Sequence, residues 1–358
     1  MLQNPVKGAV MAATIHDVAR DAQVSIATVS RVLAGNYPVA AATRERVLAS
    51  VDALNYAANP NARRLRGAAP SPVAVLLGSI TGPSFAALAQ GVEREARMLD
   101  RICLIGVTGG DAERELELVE AMRRQQASAI ILPGGYWQST EHRARMEQYA
   151  DLLAREGSRL VLAGNRTLPG HAESIISIRY DNHGGANRVA GRLAAAGHRR
   201  ALLLPGPFAS DTARERLDAF RSAFDVQPDA ELLVRESESF DREPSKAAVL
   251  DVLDELVPAG GLPPFTAIVC GTDQMAAGVL EALRERGLRC PEDISVTGFD
   301  DIPSARDLNP ALTTVRVPYE EMGALAVRLA LDEAPESHRA LLETHVIDRA
   351  SVAPPRNN

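Results

Sequence analysis

The sequence predicts an all-α helix-turn-helix head joined to an α/β body of two doubly wound parallel-sheet lobes. Three observations carry this reading. Residues 14–57 hold only short helical patterns. Residues 59–72 are a turn-and-linker run of Asn, Pro, Arg, Gly and Ser. From Val73 onward, short continuous apolar runs alternate with amphipathic stretches, the pattern of parallel strands buried on both faces and separated by helices.

In the head, Thr14-Ile15-His16-Asp17 opens a first helix, with Thr14 as cap and Asp17 in the first turn, where negative charge is favoured. Ile15, Val18, Ala19 and Ala22 fall on its inward face. Gln23-Val24 makes a turn, and Ser25 is placed to cap a second helix through residues 26–33. There Val29, Val32 and Leu33 face the core, while Ile26, Ala27, Ser30 and Arg31 point elsewhere. A third helix over 43–56, with Val47, Val51 and Leu54 on one face, completes the unit.

In the body, strands are expected at 73–77, 102–107 and 129–132, then at 175–178, 201–204, 231–234, 266–270 and 294–297. Between them lie a helix with Phe85, Leu88, Val92, Ala96 and Leu99 on one face and another near 112–126. Further helices follow around 184–196, 212–224, 245–257 and 273–286. Two such blocks of roughly 100 residues each suit two lobes, with a ligand cleft at the carboxyl ends of their strands.

At 358 residues the chain can fill two or three domains. Apolar residues at 46% and charged residues at 24% are an ordinary globular composition. The net charge of −7 is unevenly spread: residues 1–67 hold eight Lys/Arg against four acids, and the rest hold 31 against 42. A basic head on an acidic body draws phosphates to one end of the molecule. No apolar run approaches the ~18 residues of a membrane span, and the first residues lack the apolar core of a secretory signal. Cys103, Cys270 and Cys290 each fall in or beside an apolar run, as free buried thiols of a reducing compartment would. A cytoplasmic protein is expected. No G-x-G-x-x-G, P-loop or G-x-S-x-G motif occurs, and the seven His are dispersed without metal-ligand spacing, so neither an enzyme nor a cofactor or metal is expected.

The run Thr-Ile-His-Asp-Val-Ala-Arg-Asp-Ala-Gln-Val-Ser-Ile-Ala-Thr-Val-Ser-Arg-Val-Leu-Ala-Gly, residues 14–35, resembles the head of the LacI/GalR family of bacterial repressors. So do Thr-Arg-Glu-Arg-Val-Leu at 43–48 and Ala-Arg-Arg-Leu-Arg at 62–66. The resemblance extends through Asp181-Asn182-His183-Gly184-Gly185-Ala186 and Gly197-His198-Arg199-Arg200-Ala201. It continues at Gly271-Thr272-Asp273, at Gly298-Phe299-Asp300-Asp301, at Leu312-Thr313-Thr314-Val315 and at Arg349-x-Ser351.

That resemblance implies residues 1–13 as an extension, 14–58 as the DNA-binding head, 59–71 as a hinge helix and linker, and 72–358 as a periplasmic-binding-protein-like body that binds an effector and dimerises. It implies that Ile26 and Ala27 read base edges and that Arg31 contacts a base or a phosphate. Chemically, arginine can bond a guanine edge bidentately and small apolar groups suit a thymine methyl. Thr28 and Ser30 would contact phosphates, the N-terminus of the second helix can meet one, and the caps Thr14 and Ser25 also count among the DNA-binding residues. Asn59, Ala62, Arg63 and Leu65 fall in the hinge segment, with Asn59 as its cap, Pro60 at the first helical position and Leu65 as the minor-groove wedge. A helix of that length does not stand alone in water, so it orders on DNA beside its mate. Plainer readings stay open: Ile26 as a filler, Arg31 as a solvated or acid-paired side chain, Leu65 as a linker residue.

Carried across position by position, the family's effector pocket implies Arg216 as the principal donor to ligand hydroxyls or a carboxylate and Asp300 as an acceptor. Thr272 and Asp273 stand at the neighbouring loop, Phe85 and Phe240 stack on an apolar ligand face, and Ser79, Ser210 and Thr212 make shorter contacts. Asp181 is either a helix cap or a cleft residue. Arg216 could instead pair with Glu215 on the surface, the two phenylalanines could be core, and His198 reads as structural. Two departures concern the head. Gln23 stands where the family places Gly, which demands a strained or reshaped turn, and Ala40 replaces the Ser cap of the third helix, a loss of ~1 kcal/mol unless Asn36 or another group compensates. The implied partners are a palindromic operator duplex, a small sugar-like metabolite and a second copy of the chain. A ligand-dependent activator and a periplasmic-type sugar-binding protein are the alternatives.

Overall fold

The computed structural model describes residues 13–34, 38–54, 56, 70–134, 139–164, 168, 173–257, 261–332, 335 and 337–356. The expectations placed on residues 1–12 and on Asn59, Ala62, Arg63 and Leu65 of the hinge segment lie outside the described residues. The chain divides into two compact units, 1–71 and 72–358.

In the first unit, α1 (Ile15–Asp21), α2 (Ile26–Ala34) and α3 (Ala41–Ala53) enclose a core of Val18, Ala19, Ala22, Val29, Val32 and Val47. The third helix starts two residues earlier than its pattern predicts and ends sooner, with Leu54 as its C-cap. Leu54 and Val51 still pack on the core.

The second unit is built on two parallel sheets. The first contains β1 (Val73–Leu77), β2 (Cys103–Val107), β3 (Ala129–Pro133), β4 (Arg159–Ala163), β5 (Ile175–Tyr180) and β11 (Arg339–Leu342). Its order is β11-β5-β4-β3-β1-β2. Around it run α4 (Pro83–Met98), α5 (Ala112–Arg124), α6 (Thr140–Arg155) and α11 (Tyr319–Leu331). The second sheet, β7-β6-β8-β9, consists of β6 (Arg200–Leu204), β7 (Glu231–Val234), β8 (Ala267–Cys270) and β9 (Ser295–Thr297). Its helices are α7 (Asn182–Ala196), α8 (Asp211–Phe224), α9 (Arg242–Leu256) and α10 (Asp273–Glu285). An antiparallel pair, β10 (Thr314–Arg316) with β12 (His345–Ile347), accompanies the returning chain.

The lobes are therefore interleaved rather than successive. The strand expected to open the second block is β5 of the first sheet, paired on one side with β4 and on the other with β11. The sequence pattern also passes over α6 and β4. Helix α6 buries only the stripe His142, Met146, Ala150 and Leu153 beneath a polar surface, which is a narrow signal. Where α11 returns to the first lobe it lies backbone-close on α4: a β-carbon at Gly91 would sit 2.0 Å from the Glu320 carbonyl, and one at Gly323 would sit 2.1 Å from that of Leu88.

Candidate functional site

The head presents one outward face of α2. The Ser25 hydroxyl accepts the Thr28 backbone N–H at 3.1 Å and lies 2.9 Å from the Thr28 hydroxyl, so Ser25 caps the helix as its position predicts. Beyond that cap, Ile26, Ala27 and Arg31 are exposed and Thr28 and Ser30 half-buried. Ile26 is 40% exposed, a large apolar side chain in water. Ile26 and Ser30, and likewise Ala27 and Arg31, stand four residues apart, which brings them onto one helical face. Thr14 caps α1, where the Asp17 carboxylate accepts the Thr14 backbone N–H at 2.9 Å and its hydroxyl at 2.7 Å. Those bonds hold the Asp17 carboxyl below the usual range.

Both expected weak points of the head are present. Gln23 has φ of 50°, the left-handed region, and Ala40 caps α3 without a side-chain hydrogen bond. Left-handed backbone strains a side chain bearing a β-carbon, and an uncapped helix start leaves amides unsatisfied. Gln23→Gly and Ala40→Ser are each expected to stabilise the head by about 1 kcal/mol. Amide exchange in the head of the full-length chain reads this, and unaltered protection in both variants would contradict it.

In the second unit a cavity of about 570 Å³ opens where the carboxyl ends of the two sheets face each other, a size ordinary for a small-molecule site. Ser79, Phe85, Ser210, Thr212, Arg216, Phe240, Thr272 and Asp300 all line it. Arg216, on α8, is buried. Its Nε donates to Asn182 Oδ1 at 2.8 Å, one Nη to the Gly271 carbonyl, and the other to the Tyr180 hydroxyl at 3.3 Å and Asp300 Oδ1 at 3.5 Å. The guanidinium carbon lies 3.6 Å from the centroid of the Phe299 ring, a cation–π stack. The surface pairing considered for Arg216 does not occur: Glu215 turns to Arg179 and Asn182 instead.

Asp300 is buried, and its Oδ1 also accepts the Tyr319 hydroxyl at 2.8 Å. Burial pushes its carboxyl up, against the pull of Arg216 and Tyr319. Its backbone has φ of 111° and that of Asp301 55°, two successive left-handed non-glycine residues, the kind of strain concentrated at functional positions. Asp301 is anchored by Arg316 at 2.7 Å and Arg349 at 2.5 Å.

Two predicted cleft residues do not line the cavity. Asp181 is the N-cap of α7, accepting the Gly184 N–H at 2.7 Å, so the capping alternative holds. Asp273 is corrected: its carboxylate accepts the Ile302 N–H at 2.9 Å and the Thr314 hydroxyl, tying α10 to the strands behind it. Burial pushes that carboxyl well above the usual range, and the Asp300 charge adds to the shift. Ser210 and Thr272 line the cavity while capping α8 and α10. Phe85 and Phe240 are half-buried, packed on the core with part of each ring left to the cavity.

Sequence reasoning missed Tyr180, Tyr319, Asp241, Gln274 and Glu115, which also line it. Tyr180 stands directly before the Asp181-Asn182 motif, the one signal that pointed to it. His198 is structural: its ring nitrogens meet Thr266 Oγ1 at 2.8 Å and the Ala353 carbonyl at 3.0 Å. The three cysteines are free. Burial pushes the Cys103 thiol up to about 11 and the Cys290 thiol up to about 12, so neither is a nucleophile at neutral pH. Among the described residues no cluster of metal-ligating side chains occurs, and no helix is long and apolar enough to cross a membrane.

Comparison with known proteins follows the same division. Residues 14–59 match the model of the bacterial regulatory proteins of the lacI family, and residues 190–352 match a periplasmic binding protein-like domain. The transcriptional regulator GalS of Salmonella typhimurium is 33% identical over 327 residues, 90% of each chain. The ribose operon repressor of Bacillus subtilis is 32% identical over 321 residues, 89% of this chain and 91% of that one. Among solved structures, the lac repressor dimer bound to operator and the anti-inducer ONPF superposes with a TM-score of 0.78 at 26% identity, covering 95% of this chain and 99% of that one. A helix-turn-helix head, a two-sheet body with its cleft and nine-tenths coverage of named regulators lead to one assignment: the chain is a transcriptional regulator of the lacI family.

Proposed function

We propose that the chain acts in the cytoplasm as a dimeric repressor, without catalytic activity, whose grip on a palindromic operator is set by a small sugar-like metabolite in the cleft. The observation that carries the DNA-reading half is the exposed Ile26 beside Ala27, Ser30 and Arg31 on one face of α2. Water gives that isoleucine nothing, whereas a thymine methyl in the major groove covers it. Residues 14–58 form the reading head, with Thr14, Ser25 and Thr28 at phosphates. Residues 59–71 form the hinge, through Asn59, Ala62, Arg63 and Leu65, and residues 72–358 form the sensor. In the cleft, Ser79, Phe85, Ser210, Thr212, Arg216, Phe240, Thr272 and Asp300 contact the effector.

Support for the dimer comes from β2. It is an edge strand of its sheet and exposes Ile105 and Val107, with Met98, Leu99 and Ile102 beside it, 39–66% exposed. An apolar unpaired edge of this kind invites a partner, and the lac repressor neighbour is a dimer.

Selection of duplexes from a randomised pool tests the reading. Two inverted half-sites about one helical turn apart, bound with steep salt dependence, are expected, and absence of any enriched sequence would refute it. Ile105→Glu is expected to leave the fold intact, shift the protein towards monomer in sedimentation and reduce capture of the paired half-sites. An unchanged dimer would remove β2 from the interface.

A further inference from the structure

The cavity wall narrows the effector's chemistry, given the reading of this cleft as a saccharide site. Three carboxylates and one cation, Glu115, Asp241, Asp300 and Arg216, are its charged lining among the described residues. The cation is already engaged. Arg216 donates to Asn182, Gly271, Tyr180 and Asp300 and lies on Phe299, so it has no parallel pair of N–H groups to offer a carboxylate or phosphate, the geometry that makes arginine an anion receptor.

The helix starts at the cavity point the same way. Helices α4, α5, α8, α9, α10 and α11 each send a residue from their N-terminal end to its wall. Such ends are ready anion sites. All but α4 carry their own acid in the first turn: Glu113 and Glu115 on α5, Asp211 on α8, Glu243 on α9, Asp273 on α10 and Glu320 and Glu321 on α11. Five of the six positive ends are thus already compensated; the sixth, α4, starts on Pro83, which has no N–H to offer. Of the lining carboxylates, Glu115 is buried against His142 and Asp300 against Arg216, which leaves Asp241 as the exposed charge an anionic ligand would meet.

Length is the second constraint. In the first lobe, residues after β4, β3, β1 and β2 all reach the cavity: Gly164, Gly134, Ser79 and Thr108. These strands are consecutive neighbours in the sheet. At ~4.8 Å per strand the wall is about 14 Å long, longer than one pyranose ring. The aromatic rings of Phe85 and Phe240 enter it from opposite lobes, each able to lie against the apolar face of a sugar.

From these we propose that the cleft selects an uncharged glycoside of two or more linked sugar units, and rejects sugar phosphates and uronic acids. The test uses the full chain and three pools: neutral di- and trisaccharides, neutral monosaccharides, and sugar phosphates with uronic acids. Each pool is screened by the shift in unfolding temperature, and hits are measured by calorimetry. The expected result is a hit in the first pool that binds at least tenfold tighter than its component monosaccharides and than any anionic sugar. A tighter hit in the second or third pool overturns the proposal while leaving the saccharide reading standing. No hit in any pool overturns that reading and the proposal with it. Asp241→Lys, at an exposed position, is expected to bring sugar phosphates or uronates at least tenfold closer to the neutral ligand in affinity; an unmoved ratio means that lining charge does not govern selection.

Discussion

Arg216→Ala is expected to lower the unfolding free energy of the body by about 3–5 kcal/mol, the cost of stranding one member of a buried pair, and to erase the effector response. The guanidinium holds Asp300, Tyr180, Asn182 and the Gly271 carbonyl around one buried point. Without it, Asp300 keeps the Tyr319 hydroxyl but loses its counter-charge. Burial already pushes the Asp300 carboxyl up, so removing the cation raises it further. The sign follows from linkage. An acid whose folded value lies above its unfolded value costs no stability at pH below the unfolded value. It costs progressively more as pH rises from there towards the folded value. The deficit of the variant should therefore shrink on acidification into the ordinary carboxylate range, and Asp300→Asn in the same background should recover part of it at neutral pH. Urea unfolding at several pH values measures both. A deficit independent of pH, or an additive double variant, would show that the two side chains are not coupled.

Arg31→Ala is expected to act on the other end of the chain. Its side chain is exposed on α2, and operator affinity should fall by ~1–3 kcal/mol, roughly 5- to 150-fold. Base reading and phosphate contact separate in the same experiment. Loss of a base contact relaxes the preference at one position of the half-site. Loss of a phosphate contact weakens all sequences alike and lowers the salt slope by about 1. Unchanged affinity for the selected duplex would take Arg31 out of the interface.

The parts of this architecture readable in the sequence are those decided locally. The Thr14 and Ser25 caps, the left-handed Gln23 and the uncapped Ala40 each depend on a few adjacent residues, and each is found where the chain signals it. Strands β1, β3 and β6 are continuous apolar runs and are equally visible. Strand order is not local. Nothing in residues 175–180 or 339–342 states that these segments pair with each other and close the first sheet. In the cleft, Asp273 and Asp300 look alike as acids just after strands. Which one reaches the cavity is settled by the left-handed backbone at Asp300 and by Thr314 and Ile302, which take up the Asp273 carboxylate. Nothing local marks Tyr180 and Tyr319 beyond the neighbouring Asp181-Asn182 motif: their rings pack edge to face at 5.8 Å, and their hydroxyls join the polar cluster around Arg216 and Asp300.

Those hydroxyls suggest how occupancy is felt. Tyr180 ends β5 just before the chain enters α7, and Tyr319 begins α11 where it returns to the first lobe. Under the proposed reading, a ligand that takes a hydrogen bond from Arg216 or Asp300 would load both crossings between the lobes. Coupling of this kind is a free energy shared by two sites, so it must be reciprocal. The most direct test is a paired titration of the full chain: duplex affinity by fluorescence anisotropy with and without the cleft ligand, and ligand affinity by calorimetry with and without the duplex. The account predicts that each Kd moves by the same factor, and that Arg216→Ala abolishes both shifts. A saccharide that binds the protein yet leaves its duplex affinity unmoved would contradict it.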